Sequence, residues 1–166
     1  KHERAMLRSV LDLGEVQVSE IMTHRTNTAT INANLPAEKA ISAILKSPYT
    51  RIPIWTNASD NIVGIIHAKA LLQEIHQRKG NIETLNLMSL ATNPWFIPEQ
   101  TLLLYQLDAF RKRREHFSIV VDEYGSLMGV VTLEDIIEEI VGPIDDEHDV
   151  VVVSYLHLTL PTPPHV

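Results

Sequence analysis

The 166-residue sequence contains no cysteine, few aromatic residues and no long apolar run. Without cysteine the chain has neither disulfide bonds nor thiolate metal ligands, which is compatible with a reducing compartment. Its longest apolar stretches, such as residues 150–153, are far shorter than the roughly 20 residues that span a bilayer. The start of the sequence does not contain a basic segment followed by an apolar one. We therefore expect no secretory signal.

Basic residues are also scarce: 14 Lys and Arg stand against 21 Asp and Glu, for a formal net charge of −7. This balance argues against nucleic-acid binding, because phosphate backbones attract a basic surface. The one basic cluster, residues 111–114, ends a predicted helix, and we interpret it as a solvent-exposed face. A hydrophobic fraction of 45% is ordinary for a globular protein. We therefore expect a soluble globular module.

The chain contains an internal repeat. Residues 62–66 and 127–131 are apolar runs, each interrupted by one glycine and followed by a helical pattern, and the two glycines are 65 positions apart. At the same offset, residues 51–54 align with residues 116–119. A constant offset over this distance indicates a duplication.

Hydrophobic periodicity predicts the same succession of elements in each unit. In the first unit it predicts a helix over 37–45, strands over Arg51–Trp55 and 62–66, and a helix over Ala68–Gln77. In the second it predicts a helix over 102–114, strands over 118–121 and 127–131, and a helix over Leu133–Val141. Each unit is then β-α-β-β-α. Because an isolated hairpin is unstable in water, we expect an α/β (α+β) fold in which the sheets of the two units pack together with helices outside.

We place a lead-in helix at residues 1–15, the first repeat at 16–78 and the second at 79–142. Residues 143–166 form an acidic linker and an irregular tail. The tail, residues 154–166, contains three prolines and is either extended or in part of non-native origin. The acidic run over 145–149 lacks EF-hand spacing, and we interpret it as a solvated linker.

The last predicted helix begins with the pattern Gly129-x-x-Thr132-x-x-Asp135. Thr132 is a good N-cap and Asp135 lies three residues further, which is compatible with a capping box. The same helix N-terminus presents unpaired N–H groups and a partial positive charge, which suit a phosphate. Asp135 is then placed to accept hydrogen bonds from ribose hydroxyls. From this pattern alone the two interpretations are equally supported.

The first repeat lacks these side chains. It has His67 and Ala70 at the corresponding positions, and Ala70 cannot accept a hydrogen bond from a hydroxyl. We therefore expect one competent site per pair of repeats, organised by the second repeat. We interpret His67 as a surface or helix-capping residue.

Four stretches of the chain match a known family in their order and spacing. They are residues 19–23 (SEIMT), 49–54 (YTRIPI), 119–125 (IVVDEYG) and 129–142 (GVVTLEDIIEEIVG). Over residues 16–142 the chain resembles the CBS domain pair, in particular the pairs of CorC/HlyC-type and cyclin M-type magnesium and cobalt transport proteins. The resemblance implies a non-catalytic regulatory module on the cytoplasmic face of the membrane, joined in its parent protein to a transmembrane domain. It also implies a homodimer that binds an adenine nucleotide, AMP or ATP, with or without Mg²⁺.

The resemblance further implies which residues bind the nucleotide. Thr132 lies on the phosphate side and Asp135 on the ribose, and Gly129 and Val131 belong to the same motif. The other residues implied are Arg51 near the phosphates, its neighbours Tyr49 and Pro53, then Thr23, and Trp95 or the phenylalanine after it against the adenine. Each has an ordinary alternative: a surface ion pair for the arginine, a loop or cap role for the threonine, and core packing for the aromatic residue. No metal ligands are predicted.

Two other functions remain open. One is a structural dimerisation module with a vestigial site, against which the intact Thr132 and Asp135 argue. The other is a nucleotide-hydrolysing enzyme, but the sequence has no Gly-x-Ser-x-Gly, His-Glu-x-x-His or Walker pattern. For the homodimer, we expect the helices Ala68–Gln77 and Leu133–Val141 to contribute to the interface, because they are rich in apolar residues.

Overall fold

A computed structural model describes residues 13–142 of the chain. The predicted linker and tail over 143–166 lie outside the described residues, as does most of the predicted lead-in helix. Its last three residues, Leu13–Glu15, form a 3-10 helix. Within the described part, no helix is long and apolar enough to cross a membrane.

The described residues form seven strands and five α-helices, which repeat in two successive units. The strands are β1 (Thr23–His24), β2 (Ile31–Asn32), β3 (Arg51–Trp55), β4 (Ile62–His67), β5 (Phe96–Pro98), β6 (Phe117–Val121) and β7 (Leu127–Thr132). The helices are α1 (Ala37–Lys46), α2 (Ala68–Gln77), α3 (Leu87–Leu90), α4 (Leu103–Arg113) and α5 (Leu133–Val141). The four helices and four strands that the hydrophobic periodicity predicted are confirmed. Their observed ends differ from the predicted ends by at most one residue.

The strands form two sheets, one for each unit. The first has the order β2-β3-β4 and the second the order β1-β7-β6-β5. In each, a hairpin of antiparallel strands is extended by a short parallel strand, β2 on β3 and β5 on β6. The mixed α/β architecture of tandem repeats is therefore confirmed.

The leading segments of the two units are exchanged between the sheets. Strand β1 lies near the start of the first unit in the sequence but pairs with β7 of the second. Conversely, Thr92, in the leading segment of the second unit, exchanges two backbone hydrogen bonds of 2.9 Å with Ile65 of β4. The exchange places Thr23 beside the second unit's Gly129–Asp135 motif.

The core has three parts. Each unit buries the apolar face of its helices against its own sheet, and in the second unit α5 contributes Leu133, Ile136, Ile140 and Val141. A third cluster joins the sheets and consists of Ile62, Ile65, Ile119, Leu127 and Val130. Each such side chain contributes roughly 1.5–3 kcal/mol when it is fully buried. The expected packing of sheet on sheet is confirmed by this third cluster.

The alignment of residues 51–54 with 116–119 is wrong by one residue. Arg51 pairs with His67 at the end of the first hairpin, and Phe117 pairs with Thr132 at the end of the second. The counterpart of Arg51 is therefore Phe117, 66 positions later, and not His116. The offset changes because the turn between β6 and β7 is one residue shorter than the turn between β3 and β4.

Candidate functional site

A cavity of about 200 Å³ lies between the two units, next to the N-terminus of α5. The first unit contributes the residues around the start of β3, and the second contributes the facing ends of β6 and β7. The segment after β1 closes one side. The lining residues are Thr23, Thr28, Ala29, Tyr49, Arg51, Pro53, Phe117, Val130, Thr132 and Asp135.

The cavity wall contains the capping box of α5. The Thr132 hydroxyl oxygen accepts a hydrogen bond of 3.0 Å from the backbone N–H of Asp135, and Asp135 Oδ2 accepts one of 3.1 Å from the backbone N–H of Thr132. These bonds hold the carboxylate at the cavity. Because a carboxylate has about four acceptor positions, Asp135 can still accept hydrogen bonds from a ligand. The capping and ligand-binding interpretations are therefore compatible.

Six of the nine predicted site residues line this cavity: Thr23, Tyr49, Arg51, Pro53, Thr132 and Asp135. The other three, Gly129, Val131 and Trp95, do not. Val131 is fully buried in the core of the second unit. Successive side chains of a strand point to opposite faces, so the adjacent Val130 lines the cavity instead.

Gly129 is needed for the close approach of β1 to β7. It pairs with His24, and a Cβ at this position would collide with the backbone oxygen of Thr23 and lie 3.0 Å from the Met22 sulfur. A side chain would therefore displace β1. Gly129 positions Thr23 at the cavity without lining the cavity itself.

Trp95 belongs to a neighbouring cleft. Its ring packs edge-on against Phe110, with the ring centres 5.3 Å apart, and the Arg113 guanidinium lies 3.9 Å from the centre of the tryptophan ring. These contacts place Trp95 against the core of the second unit. The core alternative that the sequence left open accounts for its position.

The neighbouring cleft is the first unit's counterpart of the cavity, and its volume is about 640 Å³. His67 stands where Thr132 stands in the cavity, and no residue equivalent to Asp135 lines the cleft, since Ala70 is not part of its wall. Arg51 and Phe117 line both spaces and form the partition between them. Burial, followed by repulsion from Arg51, lowers the pKa of His67 below its ordinary value.

Four lining residues were not predicted: Thr28, Ala29, Phe117 and Val130. The alternation of side chains along β7 could have identified Val130. The correct offset of 66 positions would have identified Phe117 as the counterpart of Arg51. Thr28, whose hydroxyl donates to the backbone oxygen of His24 at 3.0 Å, lies in an irregular segment that carries no periodic signal.

The lining of the cavity contains one cationic side chain, Arg51, and one anionic side chain, Asp135. The ion pairs within residues 13–142 do not include Arg51 or Asp135, so both keep their charges available for a ligand. The same residues contain no group of three or more His, Asp or Glu side chains that could hold a metal ion. The arrangement suits a ligand with an anionic end, hydroxyl groups and an apolar face.

Comparison with known proteins identifies the family. The CBS domain model matches the chain twice, over residues 18–77 and 87–142. The chain is 38% identical over 149 residues to the magnesium and cobalt efflux protein CorC of Pasteurella multocida (strain Pm70). The aligned region covers 90% of this chain and 49% of that protein. It therefore spans about half the length of this curated relative.

Two solved structures have the same fold. The CBS domain of a bacterial CNNM/CorC family Mg²⁺ transporter in complex with ATP superposes with a TM-score of 0.78 at 37% identity, covering 87% of this chain and 100% of that one. A CBS-domain pair with bound AMP from Klebsiella pneumoniae superposes with a TM-score of 0.71 at 31% identity, covering 76% of this chain and 99% of that one. The chain therefore belongs to the CBS domain family and is a CBS domain pair similar to those of CorC-type proteins.

Proposed function

We propose that this CBS pair is a non-catalytic regulatory module that binds one adenine nucleotide in the cavity between its units. The observation that carries the proposal is the meeting of Asp135, Thr132 and Arg51 at one cavity. Arg51 lies about 80 positions before the other two in the sequence. They combine a ribose acceptor, a helix N-terminus and a cation in a space lined mostly by apolar groups.

Each part of a nucleotide has a partner of suitable chemistry. The Asp135 carboxylate would accept hydrogen bonds from the two ribose hydroxyls. The Thr132 hydroxyl, the N-terminus of α5 and the Arg51 guanidinium would bind phosphate oxygens. Pro53 and Val130 offer apolar surface to the base. This distribution supports a nucleotide more specifically than it supports a simple anion.

The similar structures support the same ligand class, because one is described with ATP and another with AMP. The relatives named CorC support a parent protein that transports magnesium or cobalt. We propose that the module is attached in that parent to a transmembrane domain, lies on the cytoplasmic face and regulates transport according to nucleotide binding.

We also propose that the module forms a homodimer through α2 and α5. The apolar excess on these helices is smaller than the sequence suggested, because Leu71, Ile136 and Ile140 are buried in the cores of their own units. Leu72 of α2 remains 52% exposed. This side chain is the main apolar group that an interface on α2 would cover.

A thermal-shift series with AMP, ADP, ATP and ATP with Mg²⁺ tests the proposed function. A ligand that binds only the folded state, at 100 times its dissociation constant, adds about 2.7 kcal/mol to the free energy of unfolding. For a domain of this size that is a rise of roughly 5–10 °C in Tm. No shift with any of the four at millimolar concentration would contradict nucleotide binding and favour the structural dimerisation module. Release of phosphate from ATP would favour the enzyme.

A further inference from the structure

One segment of the chain, residues 23–32, connects the two sheets beside the cavity. It begins as β1 in the sheet of the second unit and ends as β2 in the sheet of the first. Three of its residues line the cavity: Thr23, Thr28 and Ala29. The conformation of this connecting segment therefore determines the shape of one cavity wall.

A single 3-10 turn, Arg25–Asn27, lies between β1 and the last two of these cavity residues. The turn is closed by a hydrogen bond of 3.2 Å, which the backbone N–H of Thr28 donates to the backbone oxygen of Arg25. The Thr28 hydroxyl also donates to the backbone oxygen of His24, at 3.0 Å. Because both bonds join Thr28 to the turn, the turn positions Thr28 at the cavity.

The side chain of His24 caps this turn. Its Nδ1 lies 3.2 Å from the backbone nitrogen of Thr26 and 3.0 Å from the Thr26 hydroxyl oxygen. A backbone N–H can only donate, so Nδ1 is the acceptor and the ring is neutral, with its proton on Nε2. Protonation of Nδ1 would place two donors against each other. The Thr26 hydroxyl can rotate to accept the new proton, but the backbone N–H cannot, so the cap is lost.

Histidine is an unusual choice for such a cap, since Asn, Asp, Ser and Thr are the common ones. At four other turns of the described residues, an Asn or Asp oxygen accepts the backbone N–H two residues later. These acceptors are Asn32, Asn81, Asn86 and Asp122. Amide and carboxylate oxygens accept hydrogen bonds throughout the range from pH 5 to 8, whereas histidine changes its charge in this range. Among these five turns, the one that positions Thr28 at the cavity has the acceptor that protonation removes.

We propose that His24 is a positioning residue for this cavity wall and that its protonation releases the turn. The neutral ring holds Thr28 and Ala29 in place before a ligand arrives. When the ring is protonated, the connecting segment has to be ordered on binding, and the affinity falls because that ordering opposes association. This consequence for a nucleotide rests on the proposed function, whereas the release of the turn does not.

The charged groups around His24 do not replace the lost hydrogen bond. Its strand partner β7 has no titratable side chain. The adjacent Arg25 pairs with Asp60 of the turn between β3 and β4, at 4.0 Å. The charged side chains of the cavity wall itself are Arg51 and Asp135. Within residues 13–142 no ion pair includes His24, so in this conformation the protonated ring gains no carboxylate partner.

Calorimetric titration of AMP into the 166-residue chain at pH 7.5 and pH 5.5 tests the proposal. His24→Asn keeps an acceptor at both pH values and His24→Ala has none; His24 is exposed, so we expect both variants to fold. The readout is the ratio of the Kd at pH 5.5 to the Kd at pH 7.5, to which the titration of AMP itself contributes equally in every protein. We expect this ratio to be roughly three- to fivefold larger in the parent than in His24→Asn, as the loss of one cap predicts. His24→Ala should have the small ratio of His24→Asn but bind AMP more weakly than the parent at pH 7.5. His76→Gln, at an exposed position of α2, is the control and should keep the ratio of the parent.

The NMR signal of the Thr26 amide in the ligand-free chain separates this proposal from the proposed function. We expect the signal to move together with the His24 ring signals between pH 7.5 and pH 5.5 in the parent, and to stay constant in His24→Asn. A Thr26 amide that does not move in the parent overturns the proposal, whether or not AMP binds. A Thr26 amide that moves, without AMP binding at either pH, supports the release of the turn and contradicts the proposed function.

Three calorimetric results would also overturn the proposal. They are an equal pH ratio in the parent and His24→Asn, an unchanged affinity of His24→Ala at pH 7.5, and a loss of the pH ratio in His76→Gln equal to that in His24→Asn.

Discussion

Asp135 has a structural and a proposed binding role in the same conformation. Its carboxylate accepts the backbone N–H of Thr132 and also lines the cavity. A cap of this kind contributes about 1 kcal/mol to stability and holds the side chain in place before a ligand arrives. Less side-chain freedom is then lost on binding, which favours affinity. The first unit has neither role at this position, because Ala70 replaces the aspartate.

His67 gives the protein a predictable response to acid. Burial and repulsion from Arg51 lower its pKa in the folded state, while the unfolded chain keeps a histidine pKa of about 6.5. Between these two values the unfolded state binds more protons than the folded state. The free energy of unfolding therefore decreases as the pH falls below about 6.5, until the pH has passed the lowered pKa.

Denaturant unfolding at pH 7.5 and pH 5.5 measures this effect. We expect His67→Gln to lose less stability between the two pH values than the parent, because the titrating group is gone. His76→Gln, at an exposed position of α2, is the control and should lose as much as the parent. An unchanged pH dependence in His67→Gln would show that the group is not desolvated in the folded state.

Among the secondary-structure elements, β1 determines the shape of the cavity. It pairs with β7 through Thr23 and His24, and this pairing requires that position 129 has no side chain. We expect Gly129→Ala to displace β1 and to lower the free energy of unfolding by about 1–3 kcal/mol, as overpacking does. Because Thr23 moves with β1, nucleotide affinity should also fall.

Gly14→Ala is the matched control for this prediction. A Cβ at Gly14 meets no atom within 4 Å, so the same substitution should be nearly neutral for stability and for binding. The measurement is denaturant unfolding of both variants, followed by titration with AMP. Equal stability of the two variants would show that β1 can move away from β7 without cost.

The longer elements could be predicted from the sequence, and the exchange of leading segments could not. Strands such as β4 and helices such as α5 span enough residues for their hydrophobic period to be read. Strand β1 has only two residues, so no period indicates it, and its partner lies more than 100 positions away.

For the candidate site too, the residues that belong to a local sequence pattern could be predicted and the others could not. Thr132 and Asp135 belong to one contiguous helix cap, and a local pattern reveals them. Phe117 was missed because the alignment of the repeats slipped by one residue across the shorter turn. Trp95 lines the neighbouring cleft and not the cavity, and its residue type alone does not distinguish a ligand contact from core packing.

For the molecule as a whole, two similar halves enclose two chemically different spaces. Arg51 and Phe117 are counterparts in the repeat, yet they differ in charge and line both the cavity and the cleft. The cavity has a carboxylate, and the cleft has several cations. The duplication thus produces two spaces with different charged linings rather than two equal ones.

Dimerisation is a prediction about the intact module. Sedimentation equilibrium at tens of micromolar should give the mass of a dimer, and Leu72→Asp on α2 should raise the fraction of monomer, because it puts a charge in the apolar contact. Leu45→Asp is the control, since Leu45 of α1 is 45% exposed and α1 is not part of the proposed interface. A monomeric parent, or an equal effect of both variants, would contradict the assignment of α2 to the interface.

Calorimetric titration of AMP into the parent chain and Asp135→Asn tests most directly whether the module has one nucleotide site, organised by the second unit. The asparagine keeps the shape of the aspartate but removes its charge. We predict one AMP per chain in the parent and an affinity roughly ten- to a hundredfold lower in Asp135→Asn. The controls Glu134→Gln and His67→Ala should bind AMP as the parent does. Two AMP molecules per chain, an unchanged affinity in Asp135→Asn, or an equal loss in His67→Ala would contradict this account.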